Sequence, residues 1–199
     1  MEEAASWDAA YSRDAPAPWD IQRPQPAIRA LAESGRLTGA VLDSGCGTGE
    51  HALLAAAGGA RVMGVDLSGV AVERARRKAS DRGLDVRFEA GDVLTMALPQ
   101  AAFDVVIDSG VLHGFDDDDR RRYVERLHAT LRPGGRCYLL CFSDRQPGDW
   151  GPRRLRREEI VETFASGWNV ARIEPVVFEI NPLPEATEVQ AWLVEATSA

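Results

Sequence analysis

The residues of this chain best suited to hold a ligand are a glycine turn and the carboxylates spaced around it. In Asp43-Ser44-Gly45-Cys46-Gly47-Thr48-Gly49, glycine stands at alternate positions, so the chain can turn tightly and a ligand can approach bare backbone. Asp66 follows 17 residues after Gly49. At the end of the next strand, a carboxylate can accept from both hydroxyls of a ribose. Asp92, after Gly91, is placed to accept from an adenine amino group, with Leu67 and Val93 as apolar faces on either side of the ring. Asp43 heads the turn, where its charge repels a pyrophosphate and suits a cation. A tight strand-to-helix turn alone would account for the glycines. The succession of acids after it is what argues for a site. The segment Ser109-Gly110-Val111-Leu112-His113-Gly114-Phe115 adds a histidine able to take a proton near neutral pH. His113 reads either as a catalytic base or as a wall of the pocket.

Positioning these residues requires alternating strands and helices, and the pattern supplies them. Strands are expected at 40–43, 61–66, 86–90, 103–108, 136–142, 169–180 and 188–196, and helices at 25–35, 49–57, 68–82, 117–131 and 156–166. Phe103-Asp104-Val105-Val106-Ile107-Asp108 has the near-continuous apolar run of a strand buried on both faces. Strand and helix alternating at this spacing predict a parallel sheet with helices on both faces. Ligands then sit beyond the carboxyl ends of the strands, where each acid above falls. The connection 181–185 is too short for a parallel crossover, so the two closing strands are expected to pair antiparallel. Residues 1–27, with Pro16, Pro18, Pro24 and Pro26 among Trp7, Tyr11 and Trp19, read as an irregular segment draped over the rest.

Alternate glycines in place of G-x-G-x-x-G, together with the charge of Asp43, favour a sulfonium methyl donor over a dinucleotide. The motifs Val41-Leu42-Asp43-Ser44-Gly45-Cys46-Gly47-Thr48-Gly49, Val65-Asp66-Leu67-Ser68, Gly91-Asp92-Val93, Phe103-Asp104-Val105-Val106-Ile107-Asp108 and Leu131-Arg132-Pro133-Gly134-Gly135 resemble, in order, those of the class I S-adenosylmethionine-dependent methyltransferases. The resemblance spans roughly 40–197. It implies a Rossmann-like, doubly wound α/β sheet of seven strands, mostly parallel with the last antiparallel. It also places Asp108 and Ser109 near the methionine moiety and turns the loop of His113 toward the methyl group. The segment Ala17-Pro18-Trp19-Asp20-Ile21 with Arg23-Pro24-Gln25-Pro26 is similar to the start of the small thiopurine, thiol and halide methyltransferases and of related quinone and heterocycle methyltransferases. That likeness implies an N-terminal lid, 1–35, over a methyltransferase domain, 36–199. Trp19 would then touch both ligands, and Tyr11, His113 and Trp150 the acceptor. Alternatively, Trp19 and its prolines merely cap the sheet.

The cofactor set read this way is Trp19, Asp43, Gly45, Cys46, Gly47, Gly49, Asp66, Leu67, Gly91, Asp92, Val93, Asp108 and Ser109. The function implied is methyl transfer from S-adenosyl-L-methionine to an N, O or S atom of a small aromatic or heterocyclic molecule by in-line displacement. The alternatives are a thiol or halide methyltransferase and a non-catalytic binder of the same cofactor. A nicotinamide-dependent reductase would call for a Tyr/Lys pair after the fourth or fifth strand, which is missing.

Composition narrows the partners. The 199 residues are 45% hydrophobic and 27% charged with a net charge of −8, an ordinary globular balance poorly suited to gripping nucleic acid. The first twenty residues carry five acidic groups and no apolar run reaches 18, so neither a secretory signal nor a membrane span is expected. Cys46, Cys137 and Cys141 show no metal-ligand spacing. A cytoplasmic protein without a metal is expected, with its oligomeric state open. Cys137 and Cys141 share one face of their strand and read as core filler. His51 reads as support for the glycine turn, and His128 as solvated or packed. Asp116-Asp117-Asp118-Asp119 before Arg120-Arg121-Arg122 suits a helix start rather than a cation site. The basic stretch 153–157 reads as solvated, or else as facing an anionic acceptor.

Overall fold

A computed structural model describes residues 2–184 and 186–199. Met1, within the expected lid, and Glu185, at the end of the 181–185 connection, lie outside the described residues. The strands are β1 (Ala40–Ser44), β2 (Arg61–Asp66), β3 (Val86–Ala90), β4 (Phe103–Ser109), β5 (Leu131–Phe142), β6 (Trp168–Glu179) and β7 (Glu188–Ser198). The helices are α1 (Glu2–Tyr11), α2 (Pro26–Glu33), α3 (Glu50–Ala57), α4 (Gly69–Asp81), α5 (Asp117–Thr130) and α6 (Arg157–Thr163). All seven strands form one sheet in the order β3-β2-β1-β4-β5-β7-β6. Five are parallel neighbours, and β7 runs antiparallel to both β5 and β6. The strand order reverses between β1 and β4, which opens a crevice at their carboxyl ends.

Helices cover both faces. One core cluster joins Val106, Leu139 and Cys141 of the sheet to Tyr123, Val124 and Leu127 of α5 and Ile160 of α6. The opposite cluster joins Val41, Val105 and Ile107 to Ile28 and Leu31 of α2, Ala52 and Leu53 of α3, and Val72 and Ala75 of α4. Burying each Val, Leu or Ile among these contributes about 1.5–3 kcal/mol. Ser68 caps α4 by accepting from the Ala71 amide at 3.1 Å, a contact worth about 1 kcal/mol. Asp116 caps α5 by accepting from the Asp119 amide at 2.9 Å, and Asp117, Asp118 and Asp119 each pair with the arginine three residues on. The acidic run is therefore a helix start stabilised by its own basic turn.

Two expectations are corrected. The N-terminal segment is not irregular throughout, because Glu2–Tyr11 is helical. Every proline of that region lies at position 16 or beyond, and the preceding stretch is rich in alanine, which favours the helix. The fifth strand begins at Leu131, not Arg136. Phe103 pairs with Leu131 and Val105 with Arg136, so Pro133-Gly134-Gly135 bulges out of a strand already under way, a position that tolerates the missing proline N–H. His128 is packed, edge-on to Trp168 and within 3.1 Å of Ser198 Oγ.

Candidate active site

The glycine turn is welded to its neighbours. The Cys46 amide donates to the Val65 carbonyl and the Gly47 amide to Asp66 Oδ2, at 2.9 and 2.8 Å. Gly45 and Gly47 have φ of +69° and +52°, left-handed values that favour glycine. Space forbids side chains as well. A Cβ on Gly45 would collide with Val111 Cγ2, and one on Gly47 would lie 2.9 Å from the Tyr11 hydroxyl. Buried Asp43 accepts from the Ala52 amide through Oδ2 at 3.0 Å, and its Oδ1 has no partner among the described residues. Burial pushes its carboxyl up to about 7, reinforced by the charges of Asp66 and Asp108. An unpaired carboxylate oxygen surrounded by other acids is costly alone and fits a ligand that brings positive charge. The cationic ammonium and sulfonium of S-adenosylmethionine supply that.

The strand ends beside the turn are tied together. Asp66 Oδ1 accepts from the Ser68 amide at 2.8 Å, and the Asp66 carbonyl accepts from the Gly91 amide at 2.9 Å. Burial raises the Asp66 carboxyl, opposed by the Ser68 and Gly47 amides. Asp92 accepts from the Leu94 amide and the Thr95 hydroxyl at 2.8 and 3.1 Å. Leu67 is half-buried, whereas Val93 belongs to the core beneath α5. Cys46 is buried against the same turn, and burial holds its thiol well above the usual range.

The N-terminal segment lies on this turn. Asp8 of α1 accepts from Ser68 Oγ at 2.6 Å and from the Val70 amide at 3.2 Å, at the head of α4. The buried Tyr11 hydroxyl accepts from Trp19 Nε1 at 2.9 Å, and Trp7 meets Trp19 edge-on at 5.3 Å. Asp20 accepts from Thr48 Oγ1 at 2.9 Å. A strap ties the same segment to the end of β6. Asn181 Nδ2 donates to the Ala17 and Asp20 carbonyls, both at 2.8 Å, and its amide to the Pro18 carbonyl at 2.7 Å. Gln25 exchanges two 2.9 Å bonds with the Glu179 backbone while its amide donates to His51 Nε2 at 3.1 Å. His51 thus anchors the N-terminal segment.

A second cluster lies beyond β4 and β5. Asp108 accepts from the Val111 and Leu112 amides at 2.8 and 3.0 Å and shapes the short 3-10 turn Leu112–Gly114. Burial raises its carboxyl to about 6, opposed by these amides and by Tyr123. Ser109 is half-buried. His113 Nδ1 accepts from the Phe142 amide at 3.0 Å. An amide can only donate, so the neutral imidazole carries its proton on Nε2, toward Gly110. Burial lowers this histidine to about 4. Its ring meets Phe142 edge-on at 4.9 Å, and Phe142 in turn meets Phe178 at 5.6 Å and Trp150 at 6.3 Å.

The structure thus gathers the sequence-derived residues into two groups. Asp43, Gly45, Cys46, Gly47, Gly49, Asp66, Tyr11 and Trp19 surround the glycine turn. His113 and Trp150 share the second aromatic cluster, with Asp108 and Ser109 at its edge. Tyr11 and Trp19 make no ring contact with that second cluster. Sequence reasoning missed Asp8, Asp20, Gln25, Thr48, Phe142, Phe178 and Asn181. Their contacts join segments up to 164 positions apart, and no local spacing announces such pairs. Among the described residues no group of His, Cys, Asp or Glu is arranged to hold a metal ion, and no helix is long and apolar enough to cross a membrane.

Comparisons with known proteins bear on this arrangement. A family model described as a methyltransferase domain matches residues 41–135. The 2-heptyl-1-hydroxyquinolin-4(1H)-one methyltransferase of Mycobacteroides abscessus is 31% identical over 178 residues, covering 85% of this chain and 78% of its own. A solved protein from the conversion of a disulfide bond into a thioacetal group during echinomycin biosynthesis superimposes with a TM-score of 0.88 at 36% identity, over 98% of this chain and 93% of that one. The 1,6-didemethyltoxoflavin-N1-methyltransferase of Burkholderia thailandensis, solved with S-adenosylhomocysteine, gives a TM-score of 0.70 at 26% identity, over 87% and 77% of the two chains. With the doubly wound sheet, the glycine turn and the orphaned Asp43 oxygen, these matches make the chain a member of the class I S-adenosylmethionine-dependent methyltransferases.

Proposed function

We propose that this enzyme methylates a small aromatic or heterocyclic acceptor at an O, S or N atom that reaches the site already nucleophilic. The observation that carries this reading is the hydrogen bond from the Phe142 amide to His113 Nδ1, 3.0 Å, inside a ring of Phe142, Phe178 and Trp150. Aromatic walls suit a flat acceptor, and a histidine whose lone pair is already engaged supplies no base. His113 is assigned as a wall and an Nε2–H donor rather than as the catalytic base.

When bound, S-adenosylmethionine supplies an electrophilic methyl group. Asp43 would face its ammonium, the backbone of Gly45, Cys46, Gly47 and Gly49 would line its length, and Asp66 would take the ribose hydroxyls. Asp92, Leu67 and Val93 would receive the adenine, while Asp108 and Ser109 shape the wall nearest the methionine moiety. In-line displacement needs alignment and exclusion of water above all. Residues 2–35 serve as the lid, with Trp19 over the cofactor and the Asn181 and Gln25 straps holding the segment down. The net charge of −8 supports a small-molecule acceptor rather than a nucleic acid, and the lack of disulfides among the cysteines supports a cytoplasmic setting.

The test is formation of S-adenosylhomocysteine across a panel of thiols, hydroxyquinolones, phenols and aliphatic alcohols. Turnover is expected where the acceptor ionises readily, with a pH profile that follows the acceptor's own acidity. Equal turnover of aliphatic alcohols would restore a protein base and overturn the reading.

A further inference from the structure

The loop after β5, residues 143–156, carries a net positive charge in an otherwise acidic protein. Arg145, Arg153, Arg154 and Arg156 stand on it against Asp144 and Asp149. Beneath it lies Arg120, on the inward face of α5 and only 4% exposed. One of its nitrogens, Nη2, pairs with Asp117, while Nε and Nη1 are buried with no partner among the described residues. Asp117 is also taken by Arg153 at 2.7 Å, so one exposed carboxylate serves two guanidinium groups. Arg153 reaches on to Glu159, which Arg156 also holds at 3.1 Å. The cluster keeps one surplus positive charge. Arg154 adds another, since its bonds go only to the carbonyls of Pro147, Gly148 and Trp150.

A second orphan lies at the end of β5. Cys141 faces α5 and feels the charge of Arg120. Ser143, two residues on, continues the same face by strand alternation, and its hydroxyl is also buried without a partner. Ser143 directly follows Phe142, whose amide holds His113, so the two clusters meet at the end of β5, the aromatic one on the opposite face of the sheet. A guanidinium cannot shed its proton, and its fork matches a planar oxyanion. A buried, half-unpaired guanidinium and an unpaired hydroxyl on the same face therefore call for an anionic partner.

We propose that Arg120 Nε and Nη1, with Ser143 Oγ, bind a carboxylate or comparably delocalised oxyanion carried by the acceptor, beside the atom that is methylated. The reading rests on the small-molecule methyltransferase assignment and adds an acceptor class to it, aromatic acceptors bearing an anionic oxygen. The Arg153–Asp117 pair and the Leu155-to-Phe142 backbone bond of 3.0 Å hold the basic loop over these groups.

The experiment uses 2-mercaptobenzoate and its methyl ester, which share the thiol nucleophile and differ in the charge. Both are titrated by calorimetry into the full-length enzyme saturated with S-adenosylhomocysteine, and both are assayed for S-methylation. The acid should bind at least about tenfold more tightly than the ester, one charge-assisted pair's worth. Arg120→Gln should erase that preference, and Ser143→Ala should reduce it a few-fold, with S-adenosylhomocysteine affinity unchanged within twofold in both. No preference in the wild-type enzyme, binding of neither probe, or a preference that survives Arg120→Gln overturns the subsite. A drop of tenfold or more in S-adenosylhomocysteine affinity in Arg120→Gln assigns the arginine to the cofactor's carboxylate and likewise overturns it. If Arg120→Gln does not fold by circular dichroism, the wild-type preference and Ser143→Ala decide. A wild-type protein that fails to bind S-adenosylhomocysteine at all defeats the cofactor assignment instead, a separate result.

Discussion

At the proposed cofactor end of the crevice, Asp43, Asp66 and Asp92 hang from the ends or immediate continuations of β1, β2 and β3, and their oxygens are met mostly by backbone amides. At the proposed acceptor end, His113, Phe142, Trp150 and Phe178 come from one turn, two strand ends and a loop, and meet edge to edge. The first end is held by the sheet itself, so its chemistry is as rigid as β1 and β2. The second is held by packing between separate segments, and the Asn181 and Gln25 straps connect the two. The cofactor end should thus respond steeply to single changes of charge, and the acceptor end mildly to single changes of shape.

The largest expected effect is at Asp66. Asp66→Ala removes the proposed ribose acceptor and the anchor of the Gly47 and Ser68 amides, and should weaken S-adenosylhomocysteine binding about 100-fold by calorimetry. A change within twofold would break the contrast. Asp43→Asn comes next, with binding weaker by about tenfold once the ammonium's partner is neutral. Its pH dependence is a sharper signature. Because folding raises this carboxyl to about 7, the protonated form stabilises the fold, fully below the unfolded value near 4 and progressively less as pH rises through 7. Wild-type thermal stability should therefore decline across that window while cofactor affinity rises. Asp43→Asn should flatten both trends and melt higher than wild type at pH 8.

Asn181→Ala cuts two side-chain bonds of the strap and should raise KM for cofactor and acceptor together, by about tenfold. A rise for only one ligand would show that the ends close independently. The smallest effect should come from His113→Phe, which keeps an aromatic wall and should leave kcat for a thiol acceptor within about fivefold, at a stability cost of about 1–3 kcal/mol from the orphaned Phe142 amide. A thousandfold fall in kcat would make His113 the base after all.

The same contrast explains what could be read in the sequence. β2 and β3 are legible to the residue, because the helix α4 between them separates two short strands by a change of periodicity that local spacing carries, although β3 is the half-exposed edge strand. Asp43, Asp66 and Asp92 are legible for the same reason, being pinned to those strand ends. The helix Glu2–Tyr11 was obscured by the prolines that follow it. Gln25 and Asn181 carry no local signature, since their partners lie more than 150 positions away. Arg120 is hidden differently. Within Arg120-Arg121-Arg122 it looks like a solvated charge, and only the docking of α5 turns that one arginine inward.

The contact between Gly45 and Val111 has a consequence for how such an enzyme can diversify. Any side chain at 45 would push Val111 aside, and Val111 opens the turn that carries His113. If the His113 turn reads the acceptor as proposed, drift in the glycine turn is thereby penalised through the recognition of a different molecule. Selection for new acceptors can recut Trp150, Phe178 or the 143–156 loop, while a side chain at 45 would need both a smaller residue at 111 and a relaxed, no longer left-handed backbone.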